Sequence, residues 1–534
     1  MLLMLLTPII TALACYILKG RSLTGYVSLV GAIFLSVFSA FPIVKAFNKP
    51  LEFWGFFYMD AFSAYIASLV VFLGLVSSIY SIHYIDHEFH VGLINEEGIR
   101  IYYSLLHLFI FTMLLVVVSN NLALMWIAIE ATTIVSAILI GLGYKKRPMA
   151  IEAAWKYIIL CTVGLAFALL GIFITYYAST ATGVSKGMLN WTDLIQIAHM
   201  LNPLTMKLAF IFVLVGYGTK AGLAPLHNWL PDAHSEAPSP ISALLSGILL
   251  NTAFYGIIRF IAIVEPSTGK AFVSNLLIIF GILSVGISAL FILVQENYKR
   301  LLAYSSIEHM GIIALGIGIG GPIGIYGALL HILNHALAKP LIFLTAGRIQ
   351  AYYGSTKIEK VRGVLSTLPL LGTLTFIGVL SLSGSPPFNV FISEFTILKA
   401  AALNGLWWVV ASFLFFLVIV FYGMLSAFGR MLFGQGSAER SRSLEKVSVA
   451  SDFVMVLMAL LIILLGFKVP DFLDSAIRSC IYTIRTHYMS PHQPGVSLRT
   501  FQRWNGFSFA WIRALPLLLE ICQSLLGKEW FSFS

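Results

Sequence analysis

Roughly fourteen stretches of this chain stay apolar over about twenty residues each, the length a helix needs to cross the hydrocarbon core of a bilayer. They centre near residues 10, 35, 70, 110, 131, 164, 213, 250, 282, 310, 333, 380, 418 and 458. In lipid the backbone must satisfy its own hydrogen bonds, and these runs are too long for barrel strands. The expected fold class is therefore all-α and polytopic. Composition agrees. Of 534 residues, 59% are hydrophobic and only 10% are charged, against about one quarter charged in soluble domains. A soluble fold has no interior large enough for that much apolar side chain. The first run, Met1 to Leu18, is followed rather than preceded by Lys19 and Arg21. A signal peptide has the opposite order, so a retained helix is expected.

The formal net charge is +10. The basic residues sit mostly in connections between apolar runs and in the tail, as membrane orientation demands, so nucleic acid is not an expected partner. They gather after odd-numbered runs: Lys19 and Arg21; Lys145, Lys146 and Arg147; Lys299 and Arg300; Arg348, Lys357, Lys360 and Arg362; Arg440, Arg442 and Lys446. This bias predicts those connections on the cytoplasmic side and the N-terminus outside, in a multi-pass protein of the cell's inner membrane surrounded by lipid. Cys15, Cys161, Cys480 and Cys522 lie far apart in sequence. That spacing offers neither an iron–sulfur cluster nor a cysteine-type zinc site.

An ionisable side chain at bilayer depth costs at least ~2.5 kcal/mol and usually lines a wet or ion-conducting interior. Such residues map the candidate function. Glu130 lies mid-run, Lys156 near the end of another, and Lys220 closes a third. Glu394 follows later. His331, His335 and Lys339 recur every four residues in "HILNHALAKPLIF". On a helix this spacing stacks them on one face, about 6 Å apart per step, a ladder suited to proton hopping. A zinc motif is the poorer reading, because the glutamate that follows the first histidine in such motifs is missing.

"KAGLAPLHNWLPDAHSEAPSP", Lys220 to Pro240, places Pro225 just beyond Lys220 between two apolar runs. Proline removes a backbone donor and breaks the helix. Broken backbone at membrane depth is tolerated only inside protein or beside a cavity. A second break is expected at Pro386 and Pro387, just ahead of Glu394. Two such breaks at matching places point to two inverted five-helix repeats. The expected layout is 1–100 N-terminal helices, 101–265 first repeat, 266–432 second repeat, 433–470 last helix and 471–534 a tail of unassigned structure. Within the tail, Trp511 to Leu526 is short and holds Glu520, so it reads as a surface segment. Two other motifs carry less. Gly316 to Gly321 fits a glycine-rich nucleotide loop but follows no strand. His83, Asp86, His87 and His90 read as a wetted helix end rather than a metal site.

Five segments together resemble the proton-antiporter-like membrane subunits shared by respiratory complex I, Mrp-type antiporters and energy-converting membrane-bound hydrogenases. They are "EAAWKYIILCTVG", "TKAGLAPLHNWLPDAHSEAPSPISALLSGILLNTAFYGIIRF", "QENYKRLLAYSSIEHMG", "HILNHALAKPLIFLTAG" and "SLSGSPPFNVFISEF". Their wording is most similar to hydrogenase- and formate hydrogenlyase-linked members. The resemblance implies fourteen helices in two inverted repeats. It implies that Glu130 and Lys220 form an interacting pair, that His331, His335 and Lys339 form a central relay, and that His309 and Glu394 lie on the same proton path. It also implies a redox-driven pump subunit that works with other membrane subunits and a peripheral redox arm and moves protons or sodium ions. Such a chain carries no catalytic centre, cofactor or metal of its own. Many members place a lysine or histidine where this chain has Ser246 and Asn251, so water is expected to bridge that step. An Mrp-like cation/proton antiporter subunit and an ion-coupling subunit of a non-redox complex are the alternative readings. A structural anchor is the last.

Overall fold

The computed structural model describes residues 1–142, 148–184, 189–434 and 448–488. The elements run α1 Leu2–Ile17, α2 Arg21–Asn48, a hairpin of β1 Leu51–Phe53 and β2 Phe57–Met59, α3 Ala61–His90, α4 Glu96–Val118, α5 Leu122–Ile140, α6 Pro148–Thr180, α7 Trp191–Gln196, α8 Pro203–Ala221, α9 Leu230–Glu236 and α10 Ser239–Leu244. They continue with α11 Leu250–Thr268, α12 Lys270–Leu293, α13 Tyr298–Ile319, α14 Gly321–Tyr353, α15 Val364–Thr367, α16 Pro369–Leu382, α17 Asn389–Leu403, α18 Trp407–Leu432, α19 Val449–Phe467 and α20 Asp471–Tyr488. Twelve helices among the described residues are long and apolar enough to cross a membrane, counting α10 and α11 as one continuous span. The shorter apolar helices α1 and α16 complete the series at every position where the sequence has an apolar run. The segment Trp511 to Leu526 and the basic residues at 145–147, 440, 442 and 446 lie outside the described residues.

Short polar side chains start several of these helices. Asp60, Asn95, Asn121, Asn202 and Asn297 each accept a hydrogen bond from backbone N–H groups in the first turn of α3, α4, α5, α8 and α13. Those donors have no partner within the helix and would otherwise be stranded. Burial then sorts the helices. The apolar windows of α13 and α14 are wholly enclosed, whereas that of α18 is 28% buried. Its exposed residues include Phe415, Val418 and Tyr422. An apolar exterior around a polar-bearing centre is the arrangement that lipid as solvent selects.

Both expected breaks are present, and each falls in the fourth member of a five-helix set. In the first set, α4, α5, α6, α8 with α9, and α10 with α11, the chain leaves α8 at Gly222 in the left-handed region, φ 77. It re-enters helix at Leu230. The freed backbone is satisfied by side chains: Ala224 N–H donates to Ser284 Oγ on α12 at 2.9 Å. The Trp229 indole N–H donates to the Thr219 carbonyl at 2.8 Å. In the second set, α12, α13, α14, α16 with α17, and α18, the break spans Ser383 to Phe388. Here Asn334 on α14 donates to the Asn389 carbonyl at 2.7 Å. Ser381 Oγ donates to Asn389 Oδ1 at 2.8 Å.

The start of the tail is an amphipathic helix, α20. Ile477, Cys480, Ile481 and Ile484 are buried on one face, while Phe472 and Tyr482 stay exposed. That three-and-four spacing makes a single apolar stripe. The stripe seats α20 against the bundle, where the Tyr326 hydroxyl of α14 donates to Asp474 Oδ1 at 2.8 Å. Ser479 Oγ donates to the Phe47 carbonyl at 3.2 Å.

Candidate functional site

Lys220 is buried at the end of α8. Its ammonium donates to Thr133 Oγ1 of α5 at 2.8 Å and to the Tyr157 hydroxyl of α6 at 2.5 Å. It also lies 4.6 Å from the centroid of the Tyr157 ring, a cation–π contact. Tyr157 continues to Ser136 Oγ at 2.8 Å. Lys220 and Glu130, the interacting pair that the family resemblance implies, make no direct salt bridge, although Glu130 lies within electrostatic reach of the ammonium. Glu130 sits on α5, one turn before Thr133. Its Oε1 accepts from Thr162 Oγ1 of α6 at 2.7 Å. The two groups therefore share the α5–α6 wall, joined to it by separate hydroxyls.

The centre of the bundle holds the histidines. His309 Nδ1 on α13 and His331 Nε2 on α14 are 3.0 Å apart, so one of these nitrogens carries the proton that the other accepts. His331 Nδ1 meets Ser393 Oγ of α17 at 3.0 Å. The His335 ring lies 5.2 Å from that of His309. The ladder expected along one face of α14 is thus crossed rather than climbed. Its first two rungs engage His309 on the neighbouring helix, because the four-residue rise along α14 exceeds hydrogen-bond reach. Lys339 ends the ladder, with its ammonium donating to the Leu302 carbonyl at 2.9 Å. Pro340 follows it inside α14.

Glu394 on α17 is 3% exposed, and one carboxylate oxygen lies against Gly384 in the second break. Gly384 has φ 65 and no side chain, which leaves room for that carboxylate. Proline breaks at Pro225 and at Pro386 and Pro387 thus bring Lys220 and Glu394 to the ends of a buried polar seam. Lys156 stands apart from it. It is half-exposed near the start of α6, 2.6 Å from Glu152 and 3.2 Å from Asp232 of α9. Arg300 meets the same Asp232 at 2.9 Å.

Between Lys220 and the histidines, Ser246 lies in a π-helical turn, Leu245–Leu249, that joins α10 to α11. Its hydroxyl meets Ser306 Oγ of α13 at 2.8 Å. Asn251 does not continue it, since its Nδ2 donates back to the Gly247 carbonyl at 2.9 Å.

Three groups on or near the seam were not picked out from sequence. Glu308 is buried beside His309 on α13, facing the charge of Lys339. The rule that identified Glu130, an acid inside an apolar run, also applies to it. His234 is buried on α9 between the Trp229 and Phe343 rings, at 6.2 and 5.9 Å, and within the electrostatic reach of Lys339 and His335. Ser393, which orients His331, carries no sequence signal. Off the seam, Arg259 of α11 and Asp60 form a buried ion pair at 2.5 Å. The Arg259 guanidinium is stacked 4.2 Å from the Trp191 ring of α7.

A profile of the family described as "NADH:quinone oxidoreductase/Mrp antiporter, TM" matches residues 119–421, more than half of the chain and all of the seam. The chain belongs to this family. Among its relatives is the Hydrogenase-4 component F homolog of Methylacidiphilum infernorum, 39% identical over 71% of this chain and 78% of that protein. Hydrogenase-4 component B of Escherichia coli is 29% identical over 70% of this chain, which spans only 56% of that longer protein. Among solved structures, a chain of the membrane-bound sulfane sulfur reductase, an archaeal respiratory membrane complex, superposes with a TM-score of 0.80 at 27% identity, covering 91% of this chain and 99% of that one. These relatives are components of multi-subunit membrane assemblies. The chain is a multi-pass membrane subunit of this family, and its partners are other membrane subunits.

Proposed function

We propose that this subunit carries protons through the membrane along its buried seam, within an assembly whose driving reaction is an electron transfer in a peripheral redox arm. The observation that carries the reading is the contact of His309 with His331 at 3.0 Å and of His331 with Ser393 at 3.0 Å, with Glu308, Lys339 and Glu394 around them, at the heart of an apolar bundle. A run of groups that both accept and donate protons is costly in lipid and serves no packing purpose that apolar side chains could not serve better. The seam is rich in imidazole and ammonium nitrogen, which supports protons over sodium, a cation that prefers oxygen ligands.

In this reading Glu130, Lys220, His309, His331, His335, Lys339 and Glu394 pass the proton, and Glu308 joins them. Lys156 works at the rim, through Asp232. Moving one charge across the membrane is worth about 2.3 kcal/mol per 100 mV. A pKa change of about two units supplies similar energy, at 1.36 kcal/mol per unit. Small rearrangements around Lys220 therefore suffice to load and unload one proton. The relatives in hydrogenase and sulfur-reductase assemblies support the redox arm, and the two five-helix sets support repeats at 101–265 and 266–432. Basic connections after odd-numbered spans support an N-terminus outside the cytoplasmic membrane.

The test is proton uptake into vesicles that contain the purified assembly. Lys220→Ala and Glu394→Gln are each expected to abolish uptake while the subunits still co-purify. Uptake at the wild-type rate in both variants would leave the seam without a transport role.

A further inference from the structure

Among the described residues, a single set of histidine, cysteine and carboxylate side chains converges well enough to hold a metal ion: His309, His331 and Glu394, all buried, with one ligand atom from each within 4.8 Å of the others. We propose that these three residues bind a divalent transition-metal ion, zinc foremost, and that its occupancy blocks proton passage. The blocking half rests on the transport reading above, whereas the binding half stands without it.

The two imidazole nitrogens already face one another at 3.0 Å across one proton. Zinc–nitrogen bonds of about 2.0–2.1 Å in tetrahedral geometry hold two such nitrogens about 3.4 Å apart. Replacing the shared proton by the ion therefore asks a few tenths of an ångström in separation and a tilt of both rings, so that their lone pairs converge on the ion. Glu394 Oε1 has no hydrogen-bond partner, although the residue is buried. It is the third ligand, and a turn of its side chain closes the remaining gap. The far nitrogen of His331 is tied to Ser393 Oγ at 3.0 Å, which fixes the ring as outer partners fix metal-bound histidines. Two histidines and a glutamate with one open position make a donor set that zinc accepts readily. A proton crossing from His309 to His331 uses the nitrogen lone pairs that the metal would occupy.

The test uses tag-free purified assembly, washed with chelator and titrated with zinc by calorimetry, followed by X-ray absorption at the zinc edge. The expected result is one tight site, with two imidazoles and an oxygen ligand in the absorption spectrum. Its affinity should fall about tenfold or more in His309→Ala, His331→Ala and Glu394→Gln. A His87→Ala/His90→Ala variant, altered at an exposed helix end, should keep the site. A wild-type spectrum without two imidazoles, or binding lost in the His87/His90 variant and kept in Glu394→Gln, overturns the site. The spectrum decides even where a variant fails to assemble. Proton uptake measured with and without zinc then separates the two claims. Binding with unchanged uptake removes the block alone, and uptake absent without any metal counts against the transport reading instead.

Discussion

Tyr157 holds its hydroxyl 2.5 Å from the Lys220 ammonium and 2.8 Å from Ser136 Oγ, so the lysine at the first break is anchored by a phenol rather than by a carboxylate. Tyr157→Phe keeps the ring under the ammonium and removes only the hydroxyl. A hydrogen bond to a charged group contributes about 1.5–3 kcal/mol. Proton uptake in vesicles should fall about tenfold with the assembly intact, in line with the lower end of that range. Wild-type uptake in this variant would show that the hydroxyl only packs.

Ser246 and Ser306 connect the π-helical turn to α13. Ser246→Ala leaves the backbone as it is and removes one hydroxyl from the seam between Lys220 and the histidines. Uptake is expected to slow while the melting temperature of the assembly stays within the small range typical of a single lost hydrogen bond, about 1 kcal/mol. Ser242→Ala makes the comparison, because its hydroxyl only caps backbone carbonyls of His234 and Ala237.

At the second break, Gly384→Ala places a methyl group against the Glu394 carboxylate and holds an L-residue at φ 65. The backbone part costs about 1–2 kcal/mol. The steric part turns the carboxylate away from the histidines. Loss of uptake approaching that of Glu394→Gln, with the subunits still co-purifying, is the expected outcome, measured in the same vesicles.

Arg259 and Asp60 test stability rather than transport. Breaking a buried ion pair by removing one partner costs about 3–5 kcal/mol, since the other charge is stranded. Asp60→Asn and Arg259→Gln should each lower the thermal stability of the purified assembly sharply. The double variant should recover part of the loss, because neither leaves an unpaired charge. Additive losses in the double variant would mean that the two residues do not act as a pair.

The sequence exposed the helices because lipid demands long apolar runs, and it exposed the breaks because proline has no backbone donor to give. Lys220, His331, His335, Lys339 and Glu394 stood out for the same reason, as ionisable groups in apolar surroundings, whereas His309 entered only through the family resemblance. What did not show was which partner each would choose. The spacing of His331 and His335 put them on one face of α14, but only the packing of α13 against α14 brings His309 within 3.0 Å of His331. Glu130 and Lys220 are close in role by resemblance, yet Thr162, Thr133 and Tyr157 intervene as hydrogen-bond partners. Hydroxyls such as Ser393 and Ser306 look like ordinary small residues in a membrane helix until their distances are known. The buried pair Asp60–Arg259 was not picked out at all, although Arg259 is an ionisable group inside the apolar "FYGIIRFIAIV"; Asp60 sits in a connection whose burial no pattern reveals.

Among the described residues, three interruptions of regular helix lie where the polar groups lie: the Gly222–Trp229 turn, the Leu245–Leu249 π-turn and the Ser383–Phe388 turn. By contrast α6, α12 and α18, with much of their apolar surface turned outward, run unbroken for 33, 24 and 26 residues. The joints are internal and the casing is unbroken helix. A casing of this kind suits a gasket: any adjustment at the inner joints leaves the apolar face toward the bilayer undisturbed, so the seal and the joints are built from different stretches of the same chain.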